Sequence, residues 1–488
     1  MSQFYTSTDH FVLLPAIMLA IFGCAVLLLD FLFPEPKQRK VLALLVLAGL
    51  FFSGIGLWRQ YSFLTSQGIS EITAFRGTLT VDSFALFFNG IFIAVAALVA
   101  IVSYRYLELE GEHRGEYYGL ILLAQTGMYF LATGTDLVTL FVGLETMALS
   151  FYILVGFLRG DKRSNEAAIK YLLLGAFSSG FLIYGFSLLY GISGSTKLRD
   201  IGAAIVSRDL WDPLVFMGLT ATTVGLLFKI SAVPFHMWAP DAYEGAPTTV
   251  TAYLAVGSKA ASLAFLMRMF LGPFWNMKEI WEPMLIVIAV ASMTLGNLAA
   301  ITQNNVKRLL AYSSVSHAGY MLLGLIAGNE TGIKGMMVYI LVYTFMTLGA
   351  FLVVVGLRRM DVIGDDVDDL SGLMYKSPGY AVLMLIFMLS LAGIPPTAGF
   401  IGKYFIFLSL IQTGHYVLAV IATLYVAVAI YYYFRIVRSM FIADLVDKAP
   451  LASSVGLRVG LYITGALTLA IGVYPEPFLR MAQVSFGR

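Results

Sequence analysis

The sequence has 488 residues, of which 59% are hydrophobic and only 12% charged, and its mean hydropathy is +0.84. Soluble domains carry about 25% charged residues, so the composition excludes an ordinary soluble protein. The formal net charge is +2, and no basic patch is interleaved with aromatic residues, so nothing indicates nucleic-acid binding.

Apolar runs of about 20 residues recur along the whole chain, and each is long enough to cross a bilayer as a helix. The N-terminal residues lack the basic start of a cleaved signal peptide, so the first run is predicted to be a retained span. We therefore predict an all-α integral membrane protein. Its fourteen predicted spans lie near residues 11–33, 41–60, 79–103, 117–132, 137–158, 166–190, 213–238, 247–271, 283–301, 308–328, 334–357, 380–411, 416–440 and 456–474.

Two of these spans carry prolines that interrupt a helix in mid-membrane. Pro234 lies in the seventh span, and Pro395 and Pro396 lie in the twelfth, between two glycines. Proline removes a helix hydrogen bond, and the freed carbonyls are tolerated only when buried in protein or facing a wet cavity. We predict that both spans are discontinuous. Because they are five spans apart, spans 4–8 and 9–13 are expected to form two inverted repeats, an arrangement typical of transporters.

The predicted repeats divide the chain into four parts. Short polar links separate the spans, so no soluble domain is expected between them. The predicted parts are an N-terminal three-helix segment (1–116), a first five-helix repeat (117–271), a second five-helix repeat (272–440) and a C-terminal helix (441–488).

The positive charges predict an orientation. If the N-terminus is outside, inner loops hold 17 of the 31 lysines and arginines and outer links and span edges hold 10, which favours that orientation. Four lysines remain, each inside a span: Lys170, Lys229, Lys259 and Lys403. A charge at mid-bilayer costs at least ~2.5–3.5 kcal/mol, so these positions are functional candidates. Lys170 lies near a span start, where a lysine can instead extend to the interface.

Glu145 and two histidines complete the set of candidates. Glu145 lies in the apolar fifth span, where a carboxylate is expected to pair with a lysine or to be held neutral by desolvation. His236 follows Pro234 at the seventh-span break, and His317 lies among hydroxyl side chains. Each histidine is interpreted either as a proton relay or as a core residue.

Other polar and reactive positions are assigned structural roles. Cys24 is the only cysteine, which excludes an intrachain disulfide and a cysteine-ligated cluster held by this chain alone, and we expect it to be a small buried residue. The aspartates of residues 361–369 miss the calcium-loop pattern and are expected in a solvated inner loop. No histidine–carboxylate spacing indicates a metal site.

Four stretches together resemble the antiporter-like membrane subunits of proton-pumping NADH:quinone oxidoreductase (respiratory complex I), most closely the subunit N type. They are FVGLETMALSFYIL, KISAVPFHMWAPDAYEGAPTTVTAYLAVGSKAA, NNVKRLLAYSSVSHAGYMLLG and AGIPPTAGFIGKYFIF. The resemblance implies that Glu145, Lys229, Lys259 and Lys403 form a proton path, and the position of Lys170 also matches. The related M type usually has glutamate where Lys403 stands, and the L type has a longer C-terminal part.

The resemblance also implies the setting of the chain. We expect a multi-pass protein of the bacterial inner membrane, in contact with lipid and with other complex I subunits, especially its neighbours in the membrane arm. FMN, iron–sulfur clusters and quinone are expected in those other subunits, and no cofactor in this chain. Protons would enter near Lys229 and Lys259, cross past His317 and leave past Lys403. Two alternatives stay open: a subunit of a cation/proton antiporter complex, and a mainly structural spacer.

Overall fold

A computed structural model describes residues 5–32, 39–209, 211–358, 364–445, 451 and 453–486, and these are almost entirely helical. The helices of the N-terminal segment are α1 (Ser7–Asp30), α2 (Lys40–Gln67) and α3 (Ser83–Glu110). The next group is α4 (Gly115–Thr133), α5 (Leu137–Val155), α6 (Lys162–Ser193), α7 (Leu198–Val206), α8 (Pro213–Lys229), α9 (Trp238–Gly245), α10 (Thr248–Tyr253) and α11 (Lys259–Phe270).

The rest of the chain follows the same plan. Its helices are α12 (Lys278–Ile301), α13 (Val306–Ala327), α14 (Glu330–Leu357), α15 (Leu373–Lys376), α16 (Pro378–Ala392), α17 (Ala398–Gln412), α18 (Tyr416–Phe441), α19 (Val455–Val473) and α20 (Glu476–Phe486). Three 3₁₀ turns lie at Phe75–Gly77, Trp275–Met277 and Val367–Leu370. A π-helical segment, Leu254–Ser258, joins α10 to α11.

The helices occupy the predicted positions. Among the described residues, 11 helices are long and apolar enough to cross a membrane, and α8, α16 and α17 are shorter apolar helices. A helix, or a pair of helices with a break, lies at each of the fourteen predicted spans. The number of crossings, the inverted repeats and the four-part division stay predictions, and residues 1–4 and 487–488 lie outside the described part of the chain.

Both helix breaks lie where the prolines predict them. Helix α8 ends at Lys229, and the next helix, α9, begins at Trp238. Pro234 lies between the two helices. Helix α16 ends at Ala392 and is followed by Gly393, whose φ of +86° is a left-handed conformation that favours glycine. Prolines then prevent the helix from continuing before α17 begins.

The all-helical prediction needs one correction. Two short strands, β1 (Glu71–Ala74) and β2 (Leu79–Asp82), pair antiparallel ahead of α3. The predicted third span began at residue 79, but the helix begins at Ser83, because the Asp82 carboxylate accepts a hydrogen bond from the Ala85 amide at 2.8 Å and caps the helix. Hydropathy alone merged the apolar strand with the helix that follows it.

The helices differ in how much of their surface other helices cover. The apolar stretches of Thr248–Phe270 and α14 are entirely buried, whereas those of α1 and α18 are only one-third buried. Helices buried on all sides belong to the centre of a bundle, and partly buried ones to its periphery. The polar side chains of the central helices are therefore shielded from lipid.

Two single-residue expectations are wrong. Cys24 is exposed on α1 rather than buried. Asp365 was assigned to a solvated loop, but it is buried, and its carboxylate lies 3.5 Å from the Nζ atom of Lys307, which is also buried. Lys307 Nζ donates a hydrogen bond to the Ala246 carbonyl at 2.7 Å as well. Asp366, Asp368 and Asp369 are exposed as expected, and residues 361–363 lie outside the described residues.

The buried Lys307–Asp365 pair yields a stability prediction. Lys307→Met leaves the carboxylate buried without its cation, which costs about 3–5 kcal/mol when a buried pair is broken on one side. Burial raises the pKa of the Asp365 carboxyl even beside Lys307. A carboxyl whose pKa is raised by folding destabilises the protein at high pH and ceases to do so once protonated. The loss in thermal unfolding midpoint, measured on detergent-solubilised protein, should therefore shrink as the pH falls.

The double variant Lys307→Met/Asp365→Asn is the matched control. It removes both charges and should recover most of the lost unfolding temperature. An equal loss at every pH, or no recovery in the double variant, would show that the charge pair is not what Lys307 contributes.

Candidate functional site

The three lysines of the seventh, eighth and twelfth predicted spans are all buried. Lys229, Lys259 and Lys403 are each at most 3% exposed. Across the described residues, none of them has a carboxylate within salt-bridge distance, and each ammonium group is held by neutral hydroxyl or carbonyl oxygens. An amine buried without a close counter-ion is costly in its charged form, so these positions need a functional explanation.

Lys229 ends helix α8 at the first break. Its Nζ atom donates a hydrogen bond to the Tyr152 hydroxyl at 3.3 Å. Glu145 is the carboxylate that interacts electrostatically with Lys229, although the two do not form a direct ion pair. Glu145 and Tyr152 are seven residues apart on α5, so both face the same way. The Ser179 hydroxyl donates to Glu145 Oε1 at 2.5 Å.

Helix α6 provides the opposite wall of this region. Tyr171, Gly175 and Ser179 are four residues apart and therefore form one stripe along the helix. A Cβ atom at Gly175 would overlap the Tyr152 hydroxyl, so the glycine leaves the space in which that hydroxyl meets Lys229. The backbone of α6 therefore decides where the Tyr152 hydroxyl can lie.

Lys259 begins α11, directly after the π-helical segment. Its Nζ atom donates to the Ser314 carbonyl at 2.8 Å and to the Ser314 hydroxyl at 2.5 Å. π-helical turns are rare and occur often at functional sites. Helix α11 is buried on all sides, so the Lys259 ammonium does not face lipid. The two Ser314 oxygens on α13 accept its hydrogen bonds.

Lys403 lies against the second break. Its Nζ atom donates to the carbonyls of Leu391 and Ala392 at 3.1 and 3.0 Å, which are the last carbonyls of α16. These carbonyls have no partner in their own helix, and the C-terminal end of a helix carries partial negative charge, so a cation is favourable there. The Tyr320 ring lies 4.9 Å from the ammonium and adds a cation–π contact.

His317 lies between the sites of Lys259 and Lys403. One ring nitrogen is 2.6 Å from the Tyr339 hydroxyl and the other is 3.1 Å from the Tyr433 hydroxyl. The Tyr433 hydroxyl also contacts the hydroxyl of Ser313, the neighbour of Ser314. The hydroxyls of Ser313 and Tyr433 therefore lead to His317 from the residue next to Ser314, and the His317 ring centroid is 6.3 Å from that of Tyr320 beside Lys403.

Two candidates lie outside this buried row. Lys170 is 44% exposed and forms ion pairs with Glu166 at 2.7 Å and Asp241 at 2.8 Å. With Arg308 and others it lines an open cavity of about 310 Å³, so the structure does not bring it to the buried lysines. His236 is buried, and its Nδ1 atom has no hydrogen-bond partner among the described residues.

Sequence reasoning missed several polar residues of the site. Tyr152, Tyr171, Tyr339 and Tyr433 carry no signal in the sequence, because a tyrosine in an apolar span reads as a core aromatic. The serines of AYSSVSH were noted only as hydroxyls around His317, whereas Ser314 holds Lys259 directly. The described part of the chain has no group of three or more histidine, cysteine or carboxylate side chains that could hold a metal.

Comparison with known proteins identifies the family. The family model described as "NADH:quinone oxidoreductase/Mrp antiporter, TM" matches residues 134–429. The NADH-quinone oxidoreductase subunit N 2 of Solibacter usitatus is 69% identical over 489 residues, covering 100% of this chain and 99% of that protein. The NADH-quinone oxidoreductase subunit N 1 of Koribacter versatilis is 53% identical over 487 residues, covering 98% and 95%.

Solved structures agree with that comparison. A chain of respiratory complex I from Thermus thermophilus with bound Aureothin has a TM-score of 0.80 and 32% identity, covering 96% of this chain and 99% of that one. A chain of the Mrp complex from Dietzia has a TM-score of 0.83 at 20% identity, covering 99% and 97%, and shows the shared fold. The chain belongs to the NADH:quinone oxidoreductase/Mrp antiporter family and, within it, to the subunit N group of NADH-quinone oxidoreductase, which confirms the resemblance.

The close packing at the second break yields a testable prediction. A Cβ atom at Gly399 would overlap the Ser390 carbonyl oxygen, where the start of α17 crosses the end of α16. Gly399→Ala should lower stability by at least ~1–3 kcal/mol through overpacking and reduce the amount of assembled protein in membranes. Gly180→Ala is the control, because its Cβ would meet no atom within 4 Å. Equal thermal stability of the two variants in detergent would contradict the packing account.

Proposed function

We propose that this chain is a proton-translocating membrane-arm subunit of NADH:quinone oxidoreductase. Electron transfer from NADH to quinone takes place in other subunits of the complex and drives protons through this one. The observation that carries the proposal is the set of three buried lysines held by neutral oxygens, together with the hydroxyls of Ser313 and Tyr433 that lead to His317. The names of the close relatives are consistent with this activity.

A buried lysine carries protons because its charged form depends on what lies near it. Two unit charges ~6 Å apart at an effective dielectric constant of ~20 interact by about 3 kcal/mol, which corresponds to about a hundredfold change in proton affinity. Glu145 is the carboxylate that acts on Lys229 in this way. A small displacement of Glu145 and Lys229 relative to one another therefore changes how firmly Lys229 holds its proton. The helix break that follows Lys229 allows that lysine to move.

The proposed path has three parts. Protons enter from the inner side near Lys229 and Lys259, with Glu145 controlling the first lysine. They cross the centre through the hydroxyls beside Ser314 and through His317. They leave to the outer side past Lys403, whose carbonyl partners are available because α16 ends there. Lys170 and His236 serve at most as accessory relays at the entrance.

The setting of the chain follows from the same proposal. FMN and quinone belong to other subunits of the complex, and so do the iron–sulfur clusters, since the one cysteine here cannot ligate a cluster. The chain is a multi-pass membrane protein, and we place it in the bacterial inner membrane on the basis of its resemblance to complex I subunits. The distribution of its basic residues favours an N-terminus on the outside. Its partners are lipid and the neighbouring membrane-arm subunits, with no role in nucleic-acid binding.

One alternative function has an observation in its favour. The Mrp-complex chain shares the fold over almost the whole length. As part of a cation/proton antiporter complex, the chain would support exchange with no quinone reductase present. A purely structural spacer would instead tolerate loss of the buried lysines. The subunits that co-purify from the native membrane distinguish a complex I subunit from an antiporter subunit. The variants described below test whether the chain is only a structural spacer.

Replacing either member of the Glu145–Lys229 pair tests the proposed activity. Lys229→Ala and Glu145→Ala should slow coupled proton pumping by at least about tenfold, because each removes a group on the proton route. Proton uptake and quinone reduction are measured together in membrane vesicles that contain the assembled complex. Lys334→Ala changes a half-buried lysine, which among the described residues donates to Gln483 and lies over the Phe405 ring. This control should pump at the normal rate. Normal proton-to-electron stoichiometry and rate in Lys229→Ala would rule out the proposed path.

A further inference from the structure

The proposed path leaves one step without a carrier. Lys229 ends α8 and Lys259 begins α11, and no hydrogen bond joins the two lysines within the described residues. A proton that crosses from one to the other therefore needs intermediate groups. Two buried tyrosines, Tyr152 and Tyr171, lie on the side of Lys229 that leads toward Ser258, the residue directly before Lys259.

Three contacts lead from Lys229 to Ser258, the residue directly before Lys259. Lys229 Nζ donates to the Tyr152 hydroxyl at 3.3 Å. The rings of Tyr152 and Tyr171 are in edge contact, with centroids 4.6 Å apart and planes at 81°. The Tyr171 hydroxyl interacts with the Ser258 side chain. Each link comes from a different helix, so the fold rather than local sequence brings them together.

The surroundings hold both tyrosines in place. Gly175 leaves the space for the Tyr152 hydroxyl, as described above. The Tyr171 ring is stacked on Trp238 at 4.4 Å with an interplanar angle of 14°. Trp238 is in turn anchored because its indole N–H donates to the Phe228 carbonyl at 2.9 Å, a carbonyl near the end of α8. The first helix break therefore positions Tyr171 through Trp238.

Packing alone does not require the two hydroxyls. Phenylalanine would fill nearly the same volume, and a hydroxyl taken into an apolar interior costs free energy unless it finds a hydrogen-bond partner. Both hydroxyls meet polar partners, and those partners are a lysine on one side and the neighbour of a lysine on the other. The hydroxyls of the two tyrosines therefore lie in the region between Lys229 and the residue before Lys259.

We propose that Tyr152, Tyr171 and Ser258 relay protons between Lys229 and Lys259. The inference rests on the proposed function and names the carriers of one of its steps. The Lys229 ammonium gives a proton to the Tyr152 oxygen, which releases its own hydroxyl proton. Because no hydrogen bond joins the Tyr152 and Tyr171 hydroxyls among the described residues, an intervening water accepts that proton and gives one of its own to Tyr171. Tyr171 and Ser258 do the same in turn, and the neutral amine of Lys259 takes the last proton. Each hydroxyl keeps one O–H bond, and one positive charge moves from Lys229 to Lys259.

The Tyr171→Phe variant tests the relay with least disturbance, because the ring and its stack on Trp238 remain. Proton pumping and quinone reduction are measured in vesicles that contain the assembled complex. We expect coupled pumping to slow by at least about tenfold. Tyr117→Phe is the matched control: its buried hydroxyl is bonded to Ser103 and Thr249 at 2.8 and 2.9 Å, away from the lysines, and this variant should pump at the normal rate.

A second variant, Tyr152→Phe, tests the relay if the complex that carries Tyr171→Phe does not assemble. Tyr152→Phe removes the hydroxyl that accepts from Lys229, and it should slow pumping in the same way. If both hydroxyls belong to one serial relay, the double variant should be about as slow as the slower single variant. Losses that multiply in the double variant, or normal pumping in either assembled single variant, would overturn the relay.

Lys259→Ala in the same preparation separates this inference from the proposed function. If Lys259→Ala stops pumping while Tyr171→Phe pumps normally, protons reach Lys259 by another route and only the relay is wrong. If Lys259→Ala itself pumps normally, the proposed function fails. Slow pumping in both variants, with a normal Tyr117→Phe, supports both.

Discussion

The cost of holding an ammonium group away from water is the constraint on which the rest of this structure depends. Lys229, Lys259 and Lys403 lie in a membrane protein's interior, and no carboxylate of the described part of the chain is in direct contact with them. Each is compensated by neutral oxygens, and each set of oxygens comes from a specific structural feature. For Lys403 the feature is the end of α16, for Lys259 a serine of α13, and for Lys229 a tyrosine hydroxyl admitted by a glycine. Neutral partners satisfy the cation without binding it as tightly as a carboxylate would.

The same constraint explains the arrangement of the helices. The stretch from Thr248 to Phe270 and helix α14 are covered on all sides, so their polar groups never meet lipid. The partly covered helices, such as α1 and α18, supply the apolar outer surface. A helix break in mid-membrane would be unfavourable at that surface, and both breaks lie instead beside buried lysines. Breaks and lysines depend on one another, because freed carbonyls need donors and buried cations need acceptors.

Much of this was predictable because it depends on local sequence. Apolar run length places the helices, and Pro234, Pro395 and Pro396 place the breaks. Counting charges isolated four lysines, and three of them, Lys229, Lys259 and Lys403, are buried. The count placed Lys307 in an inner loop and Lys170 inside a span, yet Lys170 is exposed in ion pairs while Lys307 is buried against Asp365. That difference depends on which way each helix faces, which only tertiary packing determines.

The connecting groups were hidden for a similar reason. A tyrosine in an apolar span has the same pattern whether its hydroxyl meets a carbonyl, a serine or a lysine, so Tyr152, Tyr171, Tyr339 and Tyr433 could not be distinguished from core aromatics. Glu145 was predictable as an unusual charge, but its hydrogen bond from Ser179 joins residues 34 positions apart. The sequence therefore reveals the charged members of the path, and the fold reveals the neutral groups between them.

The most direct test of the account concerns His317, the group that joins the two halves of the path. His317→Phe keeps an aromatic ring against Tyr339 and Tyr433 and removes both ring nitrogens that meet their hydroxyls. The measurement is the number of protons pumped per electron pair in vesicles containing the assembled complex. The account predicts a lower ratio or a coupled rate reduced by at least about tenfold. An unchanged ratio at an unchanged rate would contradict the claim that protons cross the centre of this chain through His317.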